Sequence, residues 1–205
     1  RLENIDVLRG LVMVVMALDH TRDFLSHDAL LFPPLDLTRT YAALFFTRWI
    51  THFCAPVFCF LAGTAAFLSL TRGKTKTDLA RFLLTRGLWL VLLELTVMQF
   101  AWTFNFDIHS PAGGVIWALG WSMVALAALI YLPVWAIAAF GIVMIGTHNL
   151  FDSVPPEAFG RLGWLWNVLH AGNPIHLSPT HTFYIGYPLV PWVGVMAAGY
   201  AYGAV

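Results

Sequence analysis

Long apolar stretches limit this chain to few folds. Residues 49–71 contain no Asp, Glu, Lys or Arg, and similar stretches recur along the sequence. About 20 consecutive apolar residues cross the hydrocarbon core of a bilayer as a helix. Only 11% of the 205 residues are charged, against about a quarter in soluble domains, and the mean hydropathy is +0.73. The sequence therefore predicts a membrane protein and excludes a soluble globule, a disordered tail and a nucleic-acid binder.

The apolar pattern predicts an all-α fold, a polytopic transmembrane bundle of about six spans. Helices satisfy their own backbone hydrogen bonds in lipid, and the runs are too long for barrel strands. The predicted helices cover residues 5–25, 46–70, 79–104, 115–131, 133–147 and 188–205. We interpret residues 1–205 as a single membrane domain. Because the chain begins with Arg1 and ends while still apolar, we expect it to be the amino-terminal portion of a longer one.

A basic loop predicts the orientation in the membrane. Residues 71–81 contain four cations, Arg72, Lys74, Lys76 and Arg81. The positive-inside rule places this loop and the amino terminus in the cytoplasm. Residues 148–186 then form an extracytoplasmic loop, in which 157–170 reads as an interfacial amphipathic helix. All eight histidines fall at the outer ends of helices or beyond, either because His favours interfaces or because they build a polar chamber there.

Ionisable residues at both ends of the first predicted helix point to function, since they are costly in lipid. Arg9 and His20 are eleven positions apart, which is three turns plus about 20° and roughly 16 Å along the axis. They therefore share a helix face. Asp23, and next Asp19, could orient the His20 imidazole and raise its basicity, as a general base requires. Alternatively, Arg9 is a snorkelling anchor, and the acids pair with Arg22 and His20 as structure.

Two further places carry ionisable side chains in apolar surroundings. Arg48 and His52 are four positions apart, so they could present a cation and an imidazole to an acceptor or to a developing oxyanion. Alternatively, Arg48 could pair with Asp19 or Asp23 as part of the packing. Glu94 near mid-membrane must have a partner or be protonated, as part of a relay or of an interhelical hydrogen bond.

The sequence does not favour a metal site. Residues 107–109 and 176–181 contain histidines without the ligand complement or spacing of a zinc site. Cys54 and Cys59, five positions apart, point to different sides of one helix, so we expect neither a disulfide nor a metal clip. No metal is expected.

Four segments carry short motifs, residues 1–24, 55–64, 115–120 and 187–196. The first contains Ile5-Asp6-x-x-Arg9-Gly10 and an Arg-x10-His spacing, and the second has Pro, aromatics and Gly before a small hydroxyl residue. Together these segments resemble the heparan-alpha-glucosaminide N-acetyltransferase group of membrane acyltransferases, and its bacterial branch in particular.

The resemblance implies transfer of an acetyl or other short acyl group across the membrane. The donor would be cytoplasmic acetyl-CoA or another acyl-CoA, and the acceptor an amino or hydroxyl group of an extracytoplasmic sugar or glycan. His20 would be the base or a transient acyl carrier, and Arg9 would contact the donor. Apart from the resemblance, Arg48 is a second candidate cation for the donor. The resemblance also implies a bacterial-type inner membrane. The expected partners are the lipid bilayer and a glycan or amino-sugar acceptor, with no nucleic acid and with homo-oligomerisation left open.

The assignment of the base stays open at this point. The heparan enzyme carries Asn at the place of His20 and has its important histidine in the following loop, where this chain offers His27 a few positions out of register. His27 and His52 are therefore alternates to His20. Two other functions compete: a proton-coupled transporter with Asp19, His20 and Glu94 as a relay, and a noncatalytic scaffold.

Overall fold

The computed structural model describes residues 3–105 and 109–205, and these form an all-α membrane bundle with one small sheet. Residues 1–61 and 62–205 form two compact units. The single-domain interpretation stays a prediction. By length and composition, three helical segments of the described chain can cross a membrane, Ala42–Thr71, Lys76–Thr103 and Val134–Phe151. Shorter apolar helices at Val115–Leu129 and Leu189–Tyr202 accompany them, so the predicted fold class is confirmed.

The first unit begins with helix α1 (Glu3–Leu25), which matches the predicted first helix closely. A short helix α2 (His27–Leu31) follows, and after a loop come α3 (Ala42–Thr51) and the first part of α4 (Cys54–Thr71). The Cys54 thiol contacts the Val12 carbonyl oxygen at 3.7 Å, which ties α4 to α1. Cys54 and Cys59 are both buried as free thiols, consistent with the expectation of no disulfide.

The predicted helix over 46–70 lies within one apolar helical segment, Ala42–Thr71, but a turn at residues 52–53 interrupts this segment between α3 and α4, which the hydropathy pattern did not indicate. At the break, Nδ1 of His52 donates to the Arg48 carbonyl at 2.7 Å, and the Thr51 hydroxyl donates to the same oxygen at 3.0 Å. Side chains thereby compete for a carbonyl that the helix ladder would otherwise use. Pro56 lacks an N–H and is tolerated only in the first turn of a helix, which fits a new helix beginning at Cys54.

The second unit contains the remaining long helices. Helix α5 (Lys76–Leu93) begins with a capping box formed by Thr75 and Asp78 and continues through a π-helical turn (Glu94–Met98) into α6 (Gln99–Thr103). Strand β1 (Ala112–Gly113) precedes α7 (Val115–Leu129) and α8 (Val134–Thr147). These two helices correspond to the predicted fourth and fifth helices.

Close backbone contacts hold this unit together. A Cβ on Gly87 of α5 would lie 2.5 Å from the Gly120 carbonyl oxygen of α7, and one on Gly120 would lie 2.6 Å from the Gly87 oxygen. Such small-residue crossings are typical of membrane helices, where tight packing takes over from the hydrophobic effect. The Thr64 hydroxyl also donates to the Gly199 carbonyl oxygen at 2.9 Å, which holds the second part of α4 in this unit.

The segment between α8 and the last helix mixes helical turns with a hairpin. Two 3-10 turns, His148–Phe151 and Pro156–Leu162, lead to α9 (Gly163–Trp166) and a π turn at Asn167–Ala171. Strands β2 (Ile175–Ser178) and β3 (His181–Ile185) follow, and α10 (Leu189–Tyr202) completes the described chain. The sheet order is β1-β3-β2, with β1 parallel and β2 antiparallel to β3. The predicted helix at 157–170 is thus present as consecutive 3-10, α and π segments over residues 156–171, whereas the hairpin was missed.

Candidate functional site

One face of α1 carries both Arg9 and Asp19. The half-buried or buried positions recur every three or four residues, through Ile5, Arg9, Val12, Met16 and Asp19. This spacing is that of one helix face. An apolar stretch of the inward face therefore separates Arg9 from the acidic cluster near the end of the helix.

Asp19 is the centre of that cluster. Its carboxylate accepts hydrogen bonds from Nη2 of Arg22 on α1, from Nη1 of Arg48 at 3.1 Å to each oxygen, and from the Thr51 hydroxyl at 2.6 Å. Thr51 is buried. Of the two alternatives for Arg48, the structure contains the pairing with Asp19. Thr51 was missed as a site residue, although it lies one turn after Arg48 and so faces the same side.

Arg22 is the most deeply buried charge of the cluster, with a side chain only 5% exposed. Its Nη2 donates to Asp23 at 2.7 Å and its Nε donates to the same oxygen at 3.1 Å. The ion pair between Arg22 and Asp19 has the i,i+3 spacing that the sequence indicated. Two guanidinium groups, those of Arg22 and Arg48, thus face two carboxylates, and the four charges balance.

The cluster brings His20 together with its two proposed carboxylate partners. Ligand-type atoms of Asp19, His20 and Asp23 all lie within 4.8 Å of one another, and all three residues are half-buried. Three side chains at this spacing could hold a cation. However, Asp19 already accepts from two guanidinium groups and a hydroxyl, which a metal ion would have to displace.

The two alternate histidines occupy different surroundings. His27 begins the short helix α2 and is exposed. His52 is also exposed, and because its Nδ1–H donates to the Arg48 carbonyl, its Nε2 is the basic nitrogen of the neutral ring. His52 therefore joins the cluster only through the backbone of Arg48.

Arg9 lies on the inward side of α1, away from the cluster. It is half-buried, and its Nη2 donates to the Leu61 carbonyl oxygen of α4 at 3.3 Å. A purely snorkelling residue would direct this group to water or headgroups. The unbroken α1 preserves the predicted eleven-residue relation between Arg9 and His20; their roles stay predictions.

Glu94 in the second unit has the partners that its burial demands. Its Oε1 accepts from the Gly114 amide at 3.0 Å, and the Ile116 and Trp117 amides also donate to the carboxylate. These amides are the free donors at the start of α7, so the carboxylate caps that helix. A π-helical turn begins at Glu94. An interhelical hydrogen bond, one of the two predicted alternatives, is present.

His170 marks a second polar location in this unit. Its Nε2 lies 3.1 Å from Asp152, its side chain is 8% exposed, and its ring lies 4.9 Å from that of Trp166. An apolar cavity of about 480 Å³ and a more polar one of about 500 Å³ both touch this histidine. Nearer the sheet, the rings of His109 and His181 lie 4.7 Å apart. Asp107, part of the rejected metal fragment, lies outside the described residues.

The comparisons with known proteins agree with the motifs of α1. No curated protein and no solved structure matches the chain. A family model described as heparan-alpha-glucosaminide N-acetyltransferase, catalytic, matches residues 1–205. Together with the apolar helices, this match gives the chain the general activity of a membrane acetyltransferase of the kind that acts on glycans. The chain belongs to the heparan-alpha-glucosaminide N-acetyltransferase catalytic family.

Proposed function

We propose that this protein transfers an acetyl or other short acyl group from cytoplasmic acyl-CoA to an amino or hydroxyl group of an extracytoplasmic sugar or glycan. The observation that carries the proposal is the cluster of Asp19, His20 and Asp23 on one helix end, in a chain matched along its whole length by an acetyltransferase family. Acyl transfer needs a base for the acceptor and polar groups that hold this base in place.

His20 is the proposed general base. It takes the proton of the acceptor as the acceptor nitrogen or oxygen forms a bond to the thioester carbonyl carbon. The C–S bond then breaks, and the same proton passes to the leaving thiolate, so that CoA leaves as the thiol. Asp23 and Asp19 orient the imidazole and stabilise its protonated form, in the way a carboxylate supports histidine in other acyl transferases and hydrolases.

Arg9 and Arg48 are the proposed cations for the donor. Arg9 lies about 16 Å along α1 from His20, at 1.5 Å per residue, and a long thioester can extend over such a distance. Arg48 is bound to Asp19, so it would contact the donor at the end that reaches the charge cluster. His27 and His52 stay alternates for the base. Both are exposed, and they lie just after the ends of α1 and α3, respectively.

The proposed setting is a bacterial-type inner membrane with the amino terminus in the cytoplasm. The four cations of residues 71–81 support this orientation. Residues 1–205 then act as a single membrane domain, residues 148–186 form the extracytoplasmic loop, and the bilayer and the acceptor glycan are the partners. The oligomeric state of the purified protein is to be measured together with its activity. Neither a metal nor a nucleic acid has a part in the proposal.

The test compares purified wild-type protein with His20→Ala, His27→Ala and His52→Ala. Acetyl-CoA binding is measured by calorimetry, and turnover by release of the CoA thiol in the presence of glucosamine. We expect His20→Ala to retain binding and to lose turnover by about 10²–10⁴-fold, the usual contribution of a general base. His176→Ala, on the exposed hairpin, is the matched control and should retain full turnover.

Each outcome has a distinct meaning. Loss of turnover in His27→Ala or His52→Ala, with His20→Ala active, moves the base to that residue. If the wild-type protein binds no acyl-CoA while proton flux into liposomes depends on His20, the transporter function replaces the acyltransferase function.

A further inference from the structure

Arg22 has donor capacity that the cluster does not use. Its Nε and Nη2 donate to the carboxylates of Asp23 and Asp19. Its Nη1 is buried, and among residues 3–105 and 109–205 no acceptor lies within hydrogen-bonding distance of it. The side chain is 95% buried, as its 5% exposure implies. A guanidinium group with one unoccupied amino group is thus held away from water.

An unpaired buried donor is costly, and the cost is larger when the donor is charged. The guanidinium group is planar and rigid, so the two carboxylates that hold Nε and Nη2 also fix the direction of Nη1. The free N–H groups are therefore preorganised, which is the property that makes a donor effective toward charge that develops during a reaction.

Arg22 and the proposed base share the same two carboxylate neighbours. Asp19 and Asp23, which bind Arg22, are the same two carboxylates whose oxygens lie within 4.8 Å of a His20 ring nitrogen. The imidazole and the uncommitted guanidinium nitrogen consequently share their anchors on the last turns of α1. A reacting group that meets one of them is close to the other.

The charge balance indicates the class of ligand. Arg22 and Arg48 are already neutralised by Asp19 and Asp23, so the cluster offers hydrogen-bond donors without a net positive charge. A phosphate would need that net charge, whereas a carbonyl oxygen is neutral on arrival and becomes negative only when the carbonyl carbon is attacked. The available donor therefore suits a carbonyl oxygen.

We propose that Nη1 of Arg22 binds the carbonyl oxygen of the acyl thioester and stabilises the oxyanion of the tetrahedral intermediate. The inference rests on the proposed acyltransferase function and adds a catalytic residue to it. As the acceptor bonds to the carbonyl carbon, the C=O π electrons move onto the oxygen atom. Nη1 donates a hydrogen bond to this negatively charged oxygen. The electrons return when the C–S bond breaks and the thiolate leaves with the proton carried by His20.

The main test is Arg22→Lys, which keeps a cation between the two carboxylates and removes the spare amino group. We expect a fall in kcat of about 10²–10³-fold, the effect of deleting one oxyanion donor. Arg39→Lys makes the same chemical change in the loop after α2, where the guanidinium lies over the Phe32 ring, and should retain the wild-type kcat. Thermal unfolding of both variants in detergent reports whether each is folded.

A second measurement separates carbonyl recognition from general binding of the donor. Ethyl-CoA is a thioether that lacks the carbonyl oxygen of acetyl-CoA. Arg22→Lys should weaken binding of acetyl-CoA and leave the Kd of ethyl-CoA unchanged. If the two ligands lose affinity equally, Arg22 is a structural or donor-anchoring residue and the proposal is overturned.

The wild-type protein alone provides a third measurement, which does not depend on any variant folding. The infrared carbonyl band of acetyl-CoA labelled with ¹³C at the carbonyl should move to lower wavenumber on binding, because a charged donor polarises the bond. An unshifted band would overturn the proposal. A wild-type protein that binds no acetyl-CoA would instead overturn the acyltransferase function itself, so the two failures are distinguishable.

Discussion

Replacing Asp19 by Asn tests whether the charge cluster stabilises the first unit. Removing one partner of a buried ion pair costs about 3–5 kcal/mol, because a charge is left buried without compensation. Arg22 loses one of its two carboxylates, and its side chain is 5% exposed. Arg48 is 31% exposed, so solvent screens its share. The Asn side chain also retains an acceptor for Thr51. We therefore expect the lower end, about 3 kcal/mol.

The loss should be visible in thermal unfolding of the purified protein in detergent. For a chain of this length, 1 kcal/mol corresponds to about 2–4 °C, so Asp19→Asn should lower the Tm by about 6–12 °C. Asp36→Asn is the control with the same chemical change. The Asp36 carboxylate accepts hydrogen bonds from the amide and the hydroxyl of Thr38 in an exposed loop, and the Asp36→Asn protein should keep the Tm of the wild type. An Asp19→Asn protein as stable as this control would refute the reasoning.

Three other predictions concern packing, capping and orientation. Gly87→Ala should lower the Tm, because its methyl group would meet a backbone oxygen of α7, while Gly146→Ala, with no atom within 4 Å of the added carbon, should not. Equal Tm values for the two would show that α5 and α7 can separate at no cost. Glu94→Ala should cost about 0.5–2 kcal/mol, as a lost helix cap does, and should speed hydrogen exchange of the first amides of α7; unchanged exchange would contradict the capping role. A Lys74→Cys protein should react with a membrane-impermeant maleimide only from the cytoplasmic side, and the buried native thiols should give little background; labelling of intact spheroplasts would reverse the orientation.

The local elements of the first unit could be predicted from the sequence, because they depend on spacing along one helix. The bounds of α1 follow from its apolar run, and the pairing of Asp19 with Arg22 follows from their separation of three residues. The choice between Asp19 and Asp23 as partner of Arg48 could not be made, since spacing does not give the register between two helices. Thr51 was missed for the same reason.

The break after α3 and the hairpin show two further limits. An apolar run does not reveal which carbonyl groups side chains will occupy, so the turn at His52 is invisible to hydropathy, although Pro56 was a usable sign. The hairpin was missed because residues 148–186 were interpreted as a loop with a single amphipathic helix. The strand formers Thr182, Phe183 and Tyr184 in β3 were the available signal.

The interruption between α3 and α4 has a consequence for where solvent can reach. Lipid tails cannot hydrogen-bond to peptide groups that leave the helical pattern, so an interruption persists at membrane depth only against protein or a water-filled space. Thr51 and His52 supply two of the missing bonds, yet His52 itself is exposed. Its imidazole needs a hydrated neighbourhood, which would give an acceptor sugar an aqueous route toward the last turns of α1.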